Sequence, residues 1–342
     1  MKTLIPITAL AALLASSASF AQTPAFSKPS GYTTQVLKPS KTNYVGLNVI
    51  TPSLAAGAIT ATENSKLRLV DSNAAFNTTL QSGKMHTIEI VSGTAVGSVR
   101  EFIPSSNTKV DISATISGLA IGDKYIIRKN LTLQELFPSG APLTGAASTP
   151  GTADLVQVPD GAGNFTQYWY KTTTTNGAIG WWTTTNGTTR GVEVTTDVPL
   201  LYTDGIQIKR RAGVDVNLVI TGQVKTTSSR VYVITGSNPV SINPPAGSTL
   251  SNSSLSGSFA ASTSPANADI LWVRNLAGTA FNRFWRKTST TGGATEWWKT
   301  PDGIAPGTKV TGTVKLSPFC FIERKGTAKF MQIKVPSFYS NL

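Results

Sequence analysis

Apolar residues in this chain recur at every second position over short stretches, and no long segment repeats them every three or four. Lys66-Leu67-Arg68-Leu69-Val70, His86-Thr87-Ile88-Glu89-Ile90 and Lys109-Val110-Asp111-Ile112 alternate in this way, with Gly and Pro breaking the pattern between them. Alternation with period two marks strands that bury one face. The abundant Thr, Val, Ile and aromatic residues fit such a pleated surface better than a helix. The pattern predicts an all-β protein of tandem antiparallel sandwich or barrel-like lobes, with an inserted small β domain and one or two short helical turns. The helical signal is Thr132-Leu133-Gln134-Glu135, where the Thr hydroxyl and the Glu carboxylate can each satisfy an orphan backbone N–H. The second occurrence, at Thr249, has Asn252 in place of Glu135, and this shorter side chain predicts a weaker cap.

The order of the segments carries a second signal. Thr132 to Gly140 resembles Thr249 to Gly257, and Ala153-Asp154-Leu155 resembles Ala268-Asp269-Ile270. Phe165 to Lys171 resembles Phe281 to Lys287, and Trp181-Trp182 resembles Trp297-Trp298. Ile208-Lys209-Arg210-Arg211 resembles Ile322-Glu323-Arg324-Lys325. Five anchors in one order at a nearly constant offset read as a duplication, with 131–222 repeated in 248–335. Upstream, Gln35 to Val45 resembles Gln223 to Val233. The expected organisation is a leader over 1–21, a first lobe over 22–54 and 131–222, an inserted domain over 55–130 and a second lobe over 223–342.

Within each copy the aromatic segment ending at Lys171 or Lys287 and the following Trp-Trp segment read as a hairpin. Adjacent strand residues point to opposite faces, so one ring of each Trp pair is expected in the core and the other outside. Trp169, Trp181, Trp182, Trp285, Trp297 and Trp298, with Lys171 and Lys287, are therefore candidates for stacking on sugar rings or on a cation. Cross-strand packing under Lys and Arg stems is the competing reading. Thr132, Glu135, Asp154, Asp269, Arg210 and Arg324 are read as structural anchors, the two aspartates fixing loops by accepting backbone N–H groups.

Lys2, the apolar run Leu4 to Leu14 and the small-residue end Ser19-Phe20-Ala21 have the form of a cleavable export signal. No second apolar stretch reaches membrane-spanning length, so a secreted, periplasmic or cell-surface location is expected. The chain of 342 residues carries 30 Lys and Arg against 17 Asp and Glu, a net charge of +13. Spread over the sequence without a basic run, this favours anionic polysaccharide or envelope components, or serves solubility. The absence of a nucleic-acid motif argues against DNA or RNA.

Catalytic groups are sparse. His86 and Cys320 are each the sole residue of their type, which argues against an imidazole-based triad and against zinc or copper sites. No cofactor or metal is expected, and Cys320 in its apolar run reads as packing. Paired carboxylates could still hydrolyse a glycosidic bond, but the acids are scattered.

The leader, Gly31-Tyr32, the segment Gly122-Asp123-x-Tyr125-x-Ile127-Arg128 running into Thr132-Leu133-x-x-Leu136-Phe137, and the doubled Ala-Asp, aromatic and Lys/Arg unit resemble a family of uncharacterised exported bacterial proteins. The resemblance covers most of the chain and implies export and a duplicated β unit, with no reaction or ligand attached. The leading reading is thus a non-catalytic structural or interaction protein of the cell surface or extracellular matrix, acting by adhesion or self-association. A carbohydrate-binding protein using the repeated Trp sites is the alternative, and a carboxylate-based hydrolase the third. Cleavage after Ala21 is expected, so N-terminal sequencing of the exported protein should begin at Gln22; a start at Met1 overturns the leader.

Overall fold

The computed structural model describes residues 29–341 apart from 105, 244–245, 276–277, 279 and 290–294. The expected leader lies outside these residues. The fold is all-β, built from several antiparallel sheets with only single-turn helices, of which Leu133–Leu136 and Leu255–Ser258 sit in the two lobes. No helix among the described residues is long and apolar enough to cross a membrane.

The large sheet of the first lobe orders its strands Gly180–Thr184, Phe165–Lys171, Leu155–Pro159, Gly205–Lys209 and Thr42–Gly46. That of the second lobe orders Glu296–Thr300, Phe281–Lys287, Ile270–Arg274, Phe319–Arg324 and Gly236–Ser241, with Thr308–Lys309 added beyond Glu296–Thr300. A ribbon packs against each sheet: Ser30–Leu37 with Val216–Val224 in the first lobe, and Ser229–Val233 with Lys329–Ile333 in the second. Apolar side chains between sheet and ribbon form two separate cores, one around Val45, Val156, Trp181 and Ile208, the other around Leu271, Phe284, Trp297 and Ile322. A third core lies in the inserted domain, between the sheet containing Ser53–Ala58, Lys124–Lys129, His86–Ile90 and Val99–Phe102 and the sheet containing Ala61–Glu63, Arg68–Val70 and Lys109–Asp111.

The hairpins share one register, with Trp169 opposite Trp182 and Tyr170 opposite Trp181, as Trp285 stands opposite Trp298 and Arg286 opposite Trp297. Turn chemistry matches too. Thr184 Oγ1 accepts the Gly187 N–H at 3.0 Å and Thr300 Oγ1 accepts that of Gly303 at 3.0 Å. Both glycines have positive φ, where a side chain would be strained. Upstream, the correspondence differs from the sequence match of Tyr44 with Tyr232. Asn43 accepts the Lys38 N–H and donates to Ile208 O, and Asn238 accepts the Ile234 N–H and donates to Ile322 O. Asn43 and Asn238 are therefore the equivalent pair. The capping box closes at Thr132 and Glu135. At Thr249 the Asn252 side chain also reaches the cap, accepting its N–H at 2.7 Å, and the helical turn begins later, at Leu255.

The two lobes are closed by the same buried ion pair. Asp154 Oδ2 accepts from Arg210 Nε at 3.1 Å and from the Thr144 N–H at 2.9 Å, while Oδ1 accepts the Arg211 N–H at 2.8 Å. Asp269 Oδ2 accepts from Arg324 Nη1 at 2.5 Å and from the Ala260 N–H at 2.8 Å, and Oδ1 accepts the Lys325 N–H at 3.0 Å. Both carboxylates are fully buried. Every acceptor is used, which is the condition under which a buried charge is tolerated.

The lobes meet along a seam. Gly46 and Gly205, paired on adjacent strands, leave room for Pro318 and Phe319, and a Cβ on either would overlap that segment. Tyr44 packs on Phe281, Phe319 and Phe321. Asn48 donates to Ile242 O at 2.7 Å and Asn243 to Tyr202 O at 2.8 Å.

Replacing Asp269 by Ala leaves the buried Arg324 without its counter-charge, and a loss of about 3–5 kcal/mol is expected for the second lobe. The Asp154→Ala change should do the same to the first. The double change Asp269→Leu with Arg324→Met should lose far less. Urea unfolding of the three variants at neutral pH checks this ordering.

Candidate functional site

The tryptophans named from sequence are mostly interior. Trp169 and Trp285 have no exposed surface, and Trp181 and Trp297 lie in the two main cores. Trp182, expected to face outward, is buried in a small cluster with Ala146, Ala153, Leu155 and Trp169. The alternation holds, but the segment around Ala146 folds back on the outer face, pairing with the chain at Lys171 through the Ala146 N–H to Tyr170 O bond of 3.0 Å. The equivalent ring, Trp298, stays half-buried with Lys287 Nζ 3.7 Å from its centroid. Lys171 is fully buried and donates to the carbonyls of Thr173 and Gly177, so it ties down its own turn. The packing reading describes this set; no open ring face remains in the first lobe's Trp cluster.

The outer faces differ at one row. In the first lobe Gln157 lies between Gln167 and Gln207 on three neighbouring strands, with Tyr44 next to Gln207. In the second lobe the same positions hold Trp272, Arg283 and Phe321. There Arg283 stacks on Trp272 at 4.3 Å and donates to Pro301 O at 2.9 Å, and Trp272 Nε1 donates to Glu323 at 3.1 Å.

A cleft of about 640 Å³ opens where the inserted domain and both lobes meet. The inserted domain contributes Arg100 and Glu101 from Val99–Phe102, the first lobe Asp204, and the second lobe Arg230, Tyr232 and Phe330. Tyr232 is 55% exposed and stands opposite Phe330 on its ribbon, ring centroids 5.0 Å apart. Arg100 lies over Phe330 at 4.9 Å, its guanidinium donating to the carbonyls of Val99, Ala114 and Thr115. Arg230 donates to Thr94 O at 2.6 Å. An aromatic wall, the acids Glu101, Asp204 and Asp160 and two arginines thus share one concavity, the arrangement by which small polar ligands are oriented.

A buried network holds this junction. Glu89 accepts from Arg128 at 3.1 Å, Tyr202 at 3.2 Å, Thr227 at 2.6 Å and Lys225. Burial pushes the Glu89 carboxyl up, but Lys225 and Arg128 outweigh it and hold it below the ordinary range. Glu101, one strand away, accepts from Asn130, and burial raises its pKa against that hydrogen bond. Asp204 has its backbone pinned across the seam, its carbonyl accepting from Ser241 Oγ at 2.7 Å, and its carboxyl accepts from Thr203 at 3.2 Å. Burial, and after it the charge of Glu101, pushes the Asp204 carboxyl up to about 7.

His86 is buried against Phe102, its Nδ1 2.8 Å from Lys84 O, and burial lowers its pKa. Cys320 is buried in the second core, where burial pushes its thiol up to about 12. Neither residue has the surroundings of an activated base or nucleophile. Among the described residues, no three of His, Cys, Asp and Glu gather to hold a metal. None of the cleft residues was singled out from sequence, because Glu101, Asp204 and Tyr232 come from three distant segments and no pattern links them. Comparison with protein-family models, with curated proteins and with solved structures gives no match.

Asp204 sets a pH dependence of known sign. Its folded pKa is raised, so the folded protein holds a proton that the unfolded chain releases near the ordinary aspartate range. Its contribution to stability is complete below that range and falls as pH rises to about 7. Asp204→Asn should remove this slope, so that the variant gains on the wild type from pH 4 to pH 8 in urea unfolding; parallel curves would sink the assignment.

Proposed function

We propose that this chain is an exported, non-catalytic interaction protein of the cell surface or matrix that binds carbohydrate. In this reading two copies of one ancestral module, with the inserted domain, create a recognition cleft that neither copy has alone. The observation that supports it is the cleft itself, where the exposed Tyr232 ring and the Arg100-backed Phe330 ring stand beside Glu101 and Asp204. A sugar offers an apolar ring face and a rim of hydroxyls, and aromatic walls with carboxyl and guanidinium groups answer both. Envelope or matrix polysaccharide is the partner class that suits export and a net charge of +13. Titration calorimetry with a panel of neutral and acidic di- and trisaccharides tests it. Binding that weakens tenfold or more in Tyr232→Ala, with unchanged thermal unfolding, is expected; equal affinity in that variant removes the cleft from the account.

A second reading, carboxylate-based hydrolysis, is favoured by one observation. Asp204, with a pKa of about 7, keeps its proton into the neutral range beside Glu101 in the cleft, as a general acid must. Release of reducing ends that disappears in Asp204→Asn would establish it; binding without release leaves the non-catalytic reading in place.

A further inference from the structure

The two outer faces of the large sheets provide an internal comparison. At the row held by Trp272, Arg283 and Phe321 in the second lobe, the side chains satisfy one another by stacking and by hydrogen bonds to Glu323 and Pro301. At the equivalent row of the first lobe, Gln157, Gln167 and Gln207 stand side by side, and their amides have no hydrogen-bond partner among the described residues. All three are half-buried, and their polar atoms are not closed off from solvent. No charged side chain shares the row. Tyr44 ends it on one side, and Phe165 opposite Pro159 forms the next row out.

We propose that this face is a recognition surface for an extended, uncharged polysaccharide, adjoining the cleft at Pro159 but not using its Tyr232 and Phe330 rings. A primary amide offers two donors and an acceptor, the complement of neighbouring hydroxyls, each of which both donates and accepts. Adjacent strands place the three amides about 4.8 Å apart, a spacing comparable with one sugar unit of a straight β-linked chain. Phe165 and Pro159 supply apolar ground beside the amides for a sugar face. The absence of charge in the row selects against anionic chains, whatever the net charge of the protein. The second lobe, with Arg283 and Glu323 locked onto Trp272, offers no such row, so one site per chain is expected.

The test is retention of the whole protein on insoluble β-1,4-glucan and on insoluble β-1,4-linked N-acetylglucosamine polymer, with affinity for soluble β-1,4-glucan hexasaccharide measured by calorimetry. The variants are Gln157→Ala with Gln207→Ala, and separately Gln157→Glu, which keeps the shape but removes the donors. Wild type is expected to bind at least one of these probes with a stoichiometry of one per chain. Both variants should lose tenfold or more in affinity while unfolding at the wild-type temperature. Tyr232→Ala should bind the extended chain as wild type does, which separates this surface from the cleft. The proposal falls if wild type binds none of the three probes, or if both Gln variants bind unchanged.

Discussion

The buried aspartate–arginine pair is the interaction on which each lobe depends. Asp154 and Asp269 each hold three things in one place: the start of an inner strand, the segment that folds back before it, and the end of the strand paired beside it. A buried charge without its partners would cost several kcal/mol, so the surrounding chain has little freedom to close differently. The Trp hairpin, the turn at Gly187 or Gly303, and the segment covering the outer rings are all positioned from that fixed point. The stretches alike in the two lobes surround the ion pair, while the exposed rows differ, with glutamines in the first lobe and tryptophan, arginine and phenylalanine in the second.

Much of this was legible in the sequence. Alternation gave the strands, the Trp-Trp segment gave the hairpin, and the recurrence of Asp154 and Asp269 pointed to a carboxylate accepting backbone N–H groups. The charged partners were not legible as partners, because Arg210 and Arg324 lie far along the chain from their aspartates and nothing local links them. The expectation of one outward Trp per pair failed for Trp182 for a related reason. Strand periodicity reports the two faces of a sheet but not what later covers them, and here the segment at Ala146 does. The upstream match slipped because Tyr and Val recur by composition, whereas the constraint sits on Asn43 and Asn238 and is visible only through their backbone partners.

The cleft was invisible for a deeper reason. It belongs to no element of the repeating pattern; it exists because the inserted domain bridges both lobes, and Glu89 is where the bridge is tied. Glu89 from the inserted domain, Tyr202 from the first lobe, and Lys225 with Thr227 at the start of the second form one buried network. Such a network is rigid when complete and costly when broken. The neighbouring acids Glu101 and Asp204 therefore sit in fixed surroundings where burial disfavours ionisation, and the charge of Glu101 adds to that effect on Asp204.

The seam between the lobes has an asymmetry with a wider consequence. By the Asn43 and Asn238 correspondence, the paired glycines Gly46 and Gly205 of the first lobe stand where the second has Ser241 and Phe319. One lobe carries the socket and the other the plug. A third lobe could not dock on the second as the second docks on the first, because its seat is already filled by a ring. Head-to-tail stacking through this joint would have to displace the Phe319 ring, so an assembly of several chains is expected to use a different surface.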